Sequence, residues 1–376
     1  MYRNIYAYYS FPTKILEKNN KTEKWNVFKY LFNRKWLIGF GLVLVTLGLL
    51  VFNLSQQFQN SWDTEEVLAP FFGVRPKFQE QSQQLESAGS WAGYQKVVWI
   101  CLASILAAIL LSLSGNVSQS LLQNPLADCS TLGMIDAAGF GLMILKTILG
   151  ASTGNYYWAY FASAFFCAFL VFALILFLFN RETTWERTNT CTMIILFGLV
   201  LNIFFRTSVH LIKEHSATSV NVAYALAMGG AENIYEMFPS QYTLLRWAIP
   251  IVVVLFIVTR LLSKNWNLTE LGFDQAHSLG VNIKLLQFIG YSIILCCNTL
   301  TINLVGNISF IGLISTHLAR KLYRTRKYET IIPVSAIIAV TLIMVAVTVN
   351  QLVPAISSSN LILALGALSL LLLTKE

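Results

Sequence analysis

Charge is what this sequence has least of. Of its 376 residues only 12% are Asp, Glu, Lys or Arg, roughly half the share of a soluble domain. That shortage excludes a cytosolic enzyme and a coiled coil. There are six cysteines and no Cys-x-x-Cys pair, which excludes a disulfide scaffold and the usual zinc or redox spacings. Most of them sit in apolar runs and read as small buried hydrophobes. Gly-x-x-x-x-Gly-Lys followed by Ser or Thr does not occur, so the chain has no Walker-type phosphate cradle. Neither paired carboxylates nor a Ser/His/Asp set can be assembled, and no catalytic residue, cofactor or metal site is expected. The first residues show no short apolar core with a small-residue cleavage pattern, so no removed signal peptide is expected.

What is present is apolar: 56% of residues are hydrophobic. Leu37–Asn53, Val97–Leu113, Trp158–Phe179 and Ile249–Leu262 are near the length of about 20 apolar residues that a bilayer span needs. The pattern predicts an all-α, polytopic membrane protein with about ten transmembrane helices, some broken or short. They fall near 36–54, 96–118, 131–149, 157–179, 190–212, 243–262, 285–305, 308–319, 331–352 and 361–373.

The net charge of +8 is unevenly placed. Arg3, Lys14, Lys18, Lys21, Lys24, Lys29, Arg34 and Lys35 precede the first span, and Arg320, Lys321, Arg324, Arg326 and Lys327 follow the eighth. Basic clusters beside spans mark the cytoplasmic side. Residues 1–35 are therefore expected as a cytoplasmic tail, 36–376 as the membrane domain, and both termini inside a plasma membrane whose lipid surrounds the spans. Asp63, Glu65, Glu66, Glu80 and Glu86 mark a long outer loop over about 55–95. No basic, aromatic-interleaved soluble module is present, so nucleic acid is not an expected partner.

Two spans are interrupted, at Gln123-Asn124-Pro125 and at Gly306-Asn307. Non-helical backbone at depth is tolerated only against protein or a water-filled cavity, so both breaks suggest a lined pathway. Gly133, Ala137, Ala138, Gly139 and Gly141 fit the same idea, or simply close helix packing. Asp136 lies inside the third span, where acids are costly and functional by default; capping the broken segment is the alternative. Counting residues puts Asp136 about five from the cytoplasmic end and Arg206 about sixteen, an offset of roughly 16 Å at 1.5 Å per residue. That predicts no pair between them, with Arg206 snorkelling outward near His210. His210, Glu214 and His215 lack a metal-site spacing, and His317 beside Arg320 reads as a structural hydrogen-bonding group.

The segment Thr269–Leu279 is amphipathic. Ala276 and Leu279 are expected on one helical face, with Glu270 and Asp274 four apart toward solvent or a partner. It is either a docking element or a solvated connector.

Three motifs then resemble one family. Gly115-Asn116-Val117-Ser118-Gln119 leads to Leu122-Gln123-Asn124-Pro125-Leu126-Ala127-Asp128 and Leu132-Gly133. Leu271-Gly272 runs through Ala276 to Leu279-Gly280-Val281. Gly306-Asn307-Ile308-Ser309-Phe310-Ile311-Gly312-Leu313 is followed by His317-Leu318-Ala319-Arg320. Together they resemble the permeases of ATP-binding-cassette importers for iron-siderophore, haem and cobalamin, over about residues 36–373. The resemblance implies a permease without its own ATPase site, driven by cytoplasmic ABC ATPases. They would dock on a loop near 263–284 through Glu270, Leu271, Gly272, Asp274, Ala276, Leu279 and Gly280. It also implies a second permease copy, identical or related, and an extracytoplasmic substrate-binding protein. Gln119, Asn124, Pro125, Asp136, Gly306, Phe310 and Gly312 would belong to the pathway or its broken helices.

The family pattern is also departed from. Thr316 stands where the family has proline, Val347 and Gln351 replace an acid and an arginine, and Gly366-Ala367-Leu368-Ser369 replaces Gly-Ala-Pro-Phe. These losses lie toward the outer half. They leave open an ion-coupled secondary transporter, for which Asp136 alone is available, and a degenerate permease acting as a structural partner.

Overall fold

A computed structural model describes residues 21–55, 87–149, 157–180, 187–213, 229–237, 242–353 and 356–373. The chain separates into Met1–Gly41 and Leu42–Glu376, and the fold described below is that of the second unit. Every regular element among the described residues is helical. In order they are α1 (Lys21–Ser55), α2 (Ser87–Leu121), a 3-10 turn (Cys129–Leu132), α3 (Met134–Leu149), α4 (Tyr157–Asn180), α5 (Arg187–Lys213) and α6 (Ala231–Met237). They continue as α7 (Tyr242–Leu261), α8 (Ser263–Thr269), α9 (Phe273–Ser278), α10 (Ile283–Val305), α11 (Ile311–Tyr323), α12 (Tyr328–Leu352) and α13 (Ser358–Leu373). Seven are long and apolar enough to cross a membrane: α1, α2, α4, α5, α7, α10 and α12. The remaining expected spans are the short helices α3, α11 and α13, of 16, 13 and 16 residues.

Burial sorts the long helices by place. Of the most apolar window of α2 and of α10, 78% is buried, and of α12 61%, against 11% for α5 and 6% for α1. The first three are thus the centre, and the outer ones present Leu, Ile, Val and Phe to their surroundings, as lipid contact or assembly requires.

The centre carries a polar seam down α2. Asn116 Nδ2 donates to Ser335 Oγ at 2.8 Å and to its own helix at Ser112 O, 2.7 Å. Ser112 donates to Ser335 at 2.9 Å, and Ser114 to Asn298 Oδ1 at 3.2 Å. In an apolar medium such bonds fix which helix faces meet. One turn of α2 also runs parallel to α11 at very close range. A Cβ built on Gly115 would lie 2.7 Å from Gly312 Cα, and one turn further along both helices Gln119 Nε2 donates to Thr316 Oγ1 at 2.8 Å.

The breaks occur at the expected places. α2 ends at Leu121, Gln123 adopts φ 48°, and Asn124 Oδ1 accepts from Leu126 N at 2.9 Å. Regular helix resumes only after Gly133, at φ 75°. On the other side α10 stops at Gly306, φ 71°, and α11 starts at Phe310, itself left-handed at φ 70°. The two breaks meet, because Phe310 N–H donates to the buried Asp128 Oδ2 at 3.1 Å.

Candidate functional site

Two polar centres sit on these breaks. The first lies at the end of the bundle that holds the basic run Arg320–Lys327. The chain there forms α8 and α9, joined through Gly272, whose φ of 108° is closed to ordinary side chains. One expectation for the amphipathic segment Thr269–Leu279 is corrected. Ala276 is wholly buried while Leu279 is 60% exposed, so they face opposite ways. Residues 276 and 279 span only the last turn of a six-residue helix, and the chain turns away at Leu279 before the common face can continue.

Glu270 closes α8 and stays solvent-exposed, while its Oε1 accepts from Tyr328 Oη at 2.9 Å and from Arg320 Nη2 at 3.4 Å. Asp274 opens α9 and is exposed. Arg320 Nη2 also donates to Tyr328 Oη at 3.2 Å, and its guanidinium carbon lies 5.8 Å from that ring's centre. Tyr328 N–H in turn donates to Asn267 Oδ1 at 2.8 Å. A buried tyrosine thus fastens α8 to the start of α12 and the end of α11.

The same short helix is tied to the α2 break. Ser120 Oγ and Thr269 Oγ1 are 2.7 Å apart, and Gln123 Nε2 donates to Thr269 O at 3.0 Å. His317 Nε2 meets Pro125 O at 3.0 Å, as its structural reading anticipated. Gln119, Asn124, Pro125, Glu270, Arg320 and Arg326 border one polar cleft here. Phe273 and Ala276 anchor the inner side of α9, and Leu271, Asp274, Leu279 and Gly280 form its exposed side.

The second centre joins α3, α5 and the α10–α11 break, and it overturns the depth argument. Arg206 Nε donates to Asp136 Oδ1 at 3.0 Å, and Asn307 Nδ2 donates to the same oxygen at 2.7 Å. Two facts were invisible to residue counting. The turn before α3 does not start at the surface: it is wedged against Gly198, where any side chain would overlap Thr131 O, eleven residues into α5. Asn202 Nδ2 holds it there by donating to Ser130 O at 2.6 Å. Moreover, Cα–Cβ bonds tilt toward a helix's N-terminus, so the Arg206 side chain leans back along α5 toward Asp136 and away from His210.

Gly306, Phe310 and Gly312 lie between the two centres. A Cβ on Gly312 would fall 2.6 Å from both Asp128 Oδ1 and Leu111 O. Gly229 presses on Asn307 O, where a Cβ would lie 2.5 Å away, and Gly230 N–H donates to Val305 O at 2.7 Å. Glu232 then accepts from Ser358 N and Oγ, each at 2.8 Å, fixing the start of α13. The residues not anticipated are Asp128, Thr269, Tyr328, Asn267, Ser120 and Glu232. None belongs to a periodic pattern, and only Asp128 lies inside a quoted motif. Glu214 and His215 lie outside the described residues, and among the described residues no group of three His, Cys, Asp or Glu is placed to hold a metal.

These breaks, the paired short helices and the buried polar seam are accompanied by a match over nearly the whole chain: a model of the FecCD transport family fits residues 38–376. The chain belongs to the FecCD transport family. It is a multi-pass membrane permease of that family. It is similar to the Fe(3+) dicitrate transport system permease protein FecC of Escherichia coli (strain K12), 26% identical over 253 residues, 65% of this chain and 70% of that one. The heme-iron transport system permease protein IsdF of Staphylococcus aureus (strain Newman) is 25% identical over 245 residues, 65% of this chain and 69% of that one. In fold the chain resembles a metal-chelate type ABC transporter solved in an inward-facing conformation, with a TM-score of 0.69 and 22% identity over 90% of this chain and 99% of the other. PsaBC from Streptococcus pneumoniae, solved with a Fab, is more distant, with a TM-score of 0.51 and 14% identity over 74% of this chain and 91% of the other.

Proposed function

We propose that this FecCD permease is the membrane-spanning subunit of an ATP-driven importer for an iron chelate, haem or cobalamin. Cytoplasmic ABC ATPases supply the hydrolysis. They grip the exposed side of α9, namely Leu271, Asp274, Leu279 and Gly280. The observation that carries this reading is the two-sided build of the α8–α9 element. Its outer side exposes two leucines, 50% and 60% accessible. Its inner side is fastened through Glu270 to Tyr328 of α12 and Arg320 of α11, and through Thr269 to Ser120 at the end of α2.

The mechanism follows from that linkage. A push on α9 passes through α8 to Tyr328 and Ser120. From there it reaches α12 and the end of α2, and α2 shares the Gly115–Gly312 crossing with α11. Packed helices of this kind switch between discrete arrangements, and the switch exposes the pathway first to one side of the membrane and then to the other. The basic run at Arg320–Lys327 supports a cytoplasmic side for this end and for both termini in a plasma-membrane protein. A second permease copy completes the pathway, and an extracytoplasmic binding protein delivers the cargo to the opposite end. The relatives named for Fe(3+) dicitrate and heme-iron support the cargo class.

Affinity purification of the chain from native membranes, with identification of the bound subunits, tests the reading. Recovery of an ATPase that is lost in a Leu271→Asp/Leu279→Asp variant is expected. A chain recovered intact without any ATPase overturns it.

A further inference from the structure

Arg206 is 56% exposed, whereas its partner Asp136 is 4% exposed. The pair is neutral in sum, yet it is oriented, with the carboxylate inside and the guanidinium outside. Around the arginine, the exposed face of α5 is apolar: Leu199, Val200, Ile203 and Phe204 are 44%, 61%, 68% and 58% accessible. A guanidinium has five N–H donors, and among the described residues Nε alone is spent, on Asp136. Arg206 is not free to escape to a membrane surface. Its hold on Asp136 is reinforced by Asn307, and Asp136 sits in the first turn of α3, thirteen residues before Leu149, or roughly 20 Å of helix. Arg206 lies inside the apolar span Cys191–Ile212, and a charge on a membrane-spanning helix is stable where it faces a cavity or pathway in place of hydrocarbon.

We infer that Arg206, set by Asp136 and Asn307, is a contact point in the pathway for a carboxylate of an anionic iron chelate or haem. This rests on the import reading above. The cargoes for which the two relatives are named, Fe(3+) dicitrate and heme-iron, both carry carboxylates, and planar guanidinium nitrogens match a carboxylate edge in paired hydrogen bonds. Asp136 is a positioning residue: it orients the arginine and offsets its charge, so that the anion is attracted without being trapped. The contact selects for carboxylate cargo over neutral chelates of similar size.

The test uses the permease reconstituted in vesicles with its ATPase and binding protein. The probes are ferric dicitrate, haem and a neutral ferric trihydroxamate. The Arg206→Gln/Asp136→Asn double variant leaves no unpaired buried charge and so separates the loss of the arginine from misfolding. It is expected to lower uptake of whichever carboxylate probe the wild type accepts by about tenfold, the scale of one charged hydrogen bond, and to leave hydroxamate uptake unchanged. Uptake of every probe at the wild-type rate overturns the arginine's role and leaves the import reading standing. Wild-type vesicles that move none of the probes with ATP overturn the import reading, and this inference with it. Independently of cargo, Arg206→Cys in the Asp136→Asn background is expected to react with a membrane-impermeant sulfonated maleimide and to be shielded by the accepted carboxylate probe. A folded, inserted variant that stays inert places the residue against lipid and overturns the inference.

Discussion

At the scale of single residues, two kinds of position carry the structure: small ones that let backbones touch and polar ones that bridge breaks. Gly312 shows the first kind. Its backbone does not need glycine's torsional range, so a Gly312→Ala change tests space alone. The added methyl would meet Leu111 O and Asp128 Oδ1 at 2.6 Å, and one of those atoms belongs to the α2 backbone. Overpacking of that kind costs about 1–3 kcal/mol. Thermal unfolding of the purified permease, followed by tryptophan fluorescence, should show a lowered midpoint; an unchanged midpoint would mean that the α2–α11 crossing yields easily. Arg206 and Asp136 show the second kind, and also where reading residues in order fails. Their identities and their cost in a membrane were legible. Their pairing was not, because it depends on a 3-10 turn held against Gly198 and on a side chain that points back along its helix.

Among elements, the interrupted helices were legible from Asn124-Pro125 and Gly306, where backbone chemistry leaves few choices. The segment proposed for docking was legible as amphipathic, but its leucine and alanine do not share a face, because the chain turns away at Leu279 and Gly272 at φ 108° divides α8 from α9. Nothing lies within 4 Å of a Cβ built there, so Gly272→Ala adds only backbone strain, about 1–3 kcal/mol. It should weaken ATPase capture and lower the unfolding midpoint no further than Gly312→Ala does; capture at full strength would show that the bend is dispensable. The α8 anchor makes a second expectation. Tyr328→Phe and Glu270→Ala each remove one end of the same hydrogen bond. Each should reduce ATP-coupled uptake by roughly 2–10-fold, and the double variant should be no worse than either alone, since residues in one network are not additive. Additive losses in uptake would separate the two residues and break the proposed relay.

For the molecule as a whole, the all-helical, multi-span architecture could be read from composition, because bilayer thickness and the lack of charge permit little else. The ordering of helices into a buried centre and an exposed periphery could not. α2 and α5 are both strongly apolar, yet 78% of one window is buried and 11% of the other. The difference lies in small and polar residues, such as Ser112, Gly115, Asn116 and Gln119, which have meaning only once their partners on α11 and α12 are in place. The central claim joins this architecture to work done elsewhere: force applied at α9 moves the pathway.

ATP-driven iron-chelate uptake into vesicles holding the permease, its ATPase and its binding protein tests that claim most directly, with wild type compared against Leu279→Asp. The account predicts ATP-dependent uptake in the wild type and its loss in a variant that inserts and folds normally. Uptake that persists in Leu279→Asp, or that proceeds in the wild type when ATP cannot be hydrolysed, would contradict it.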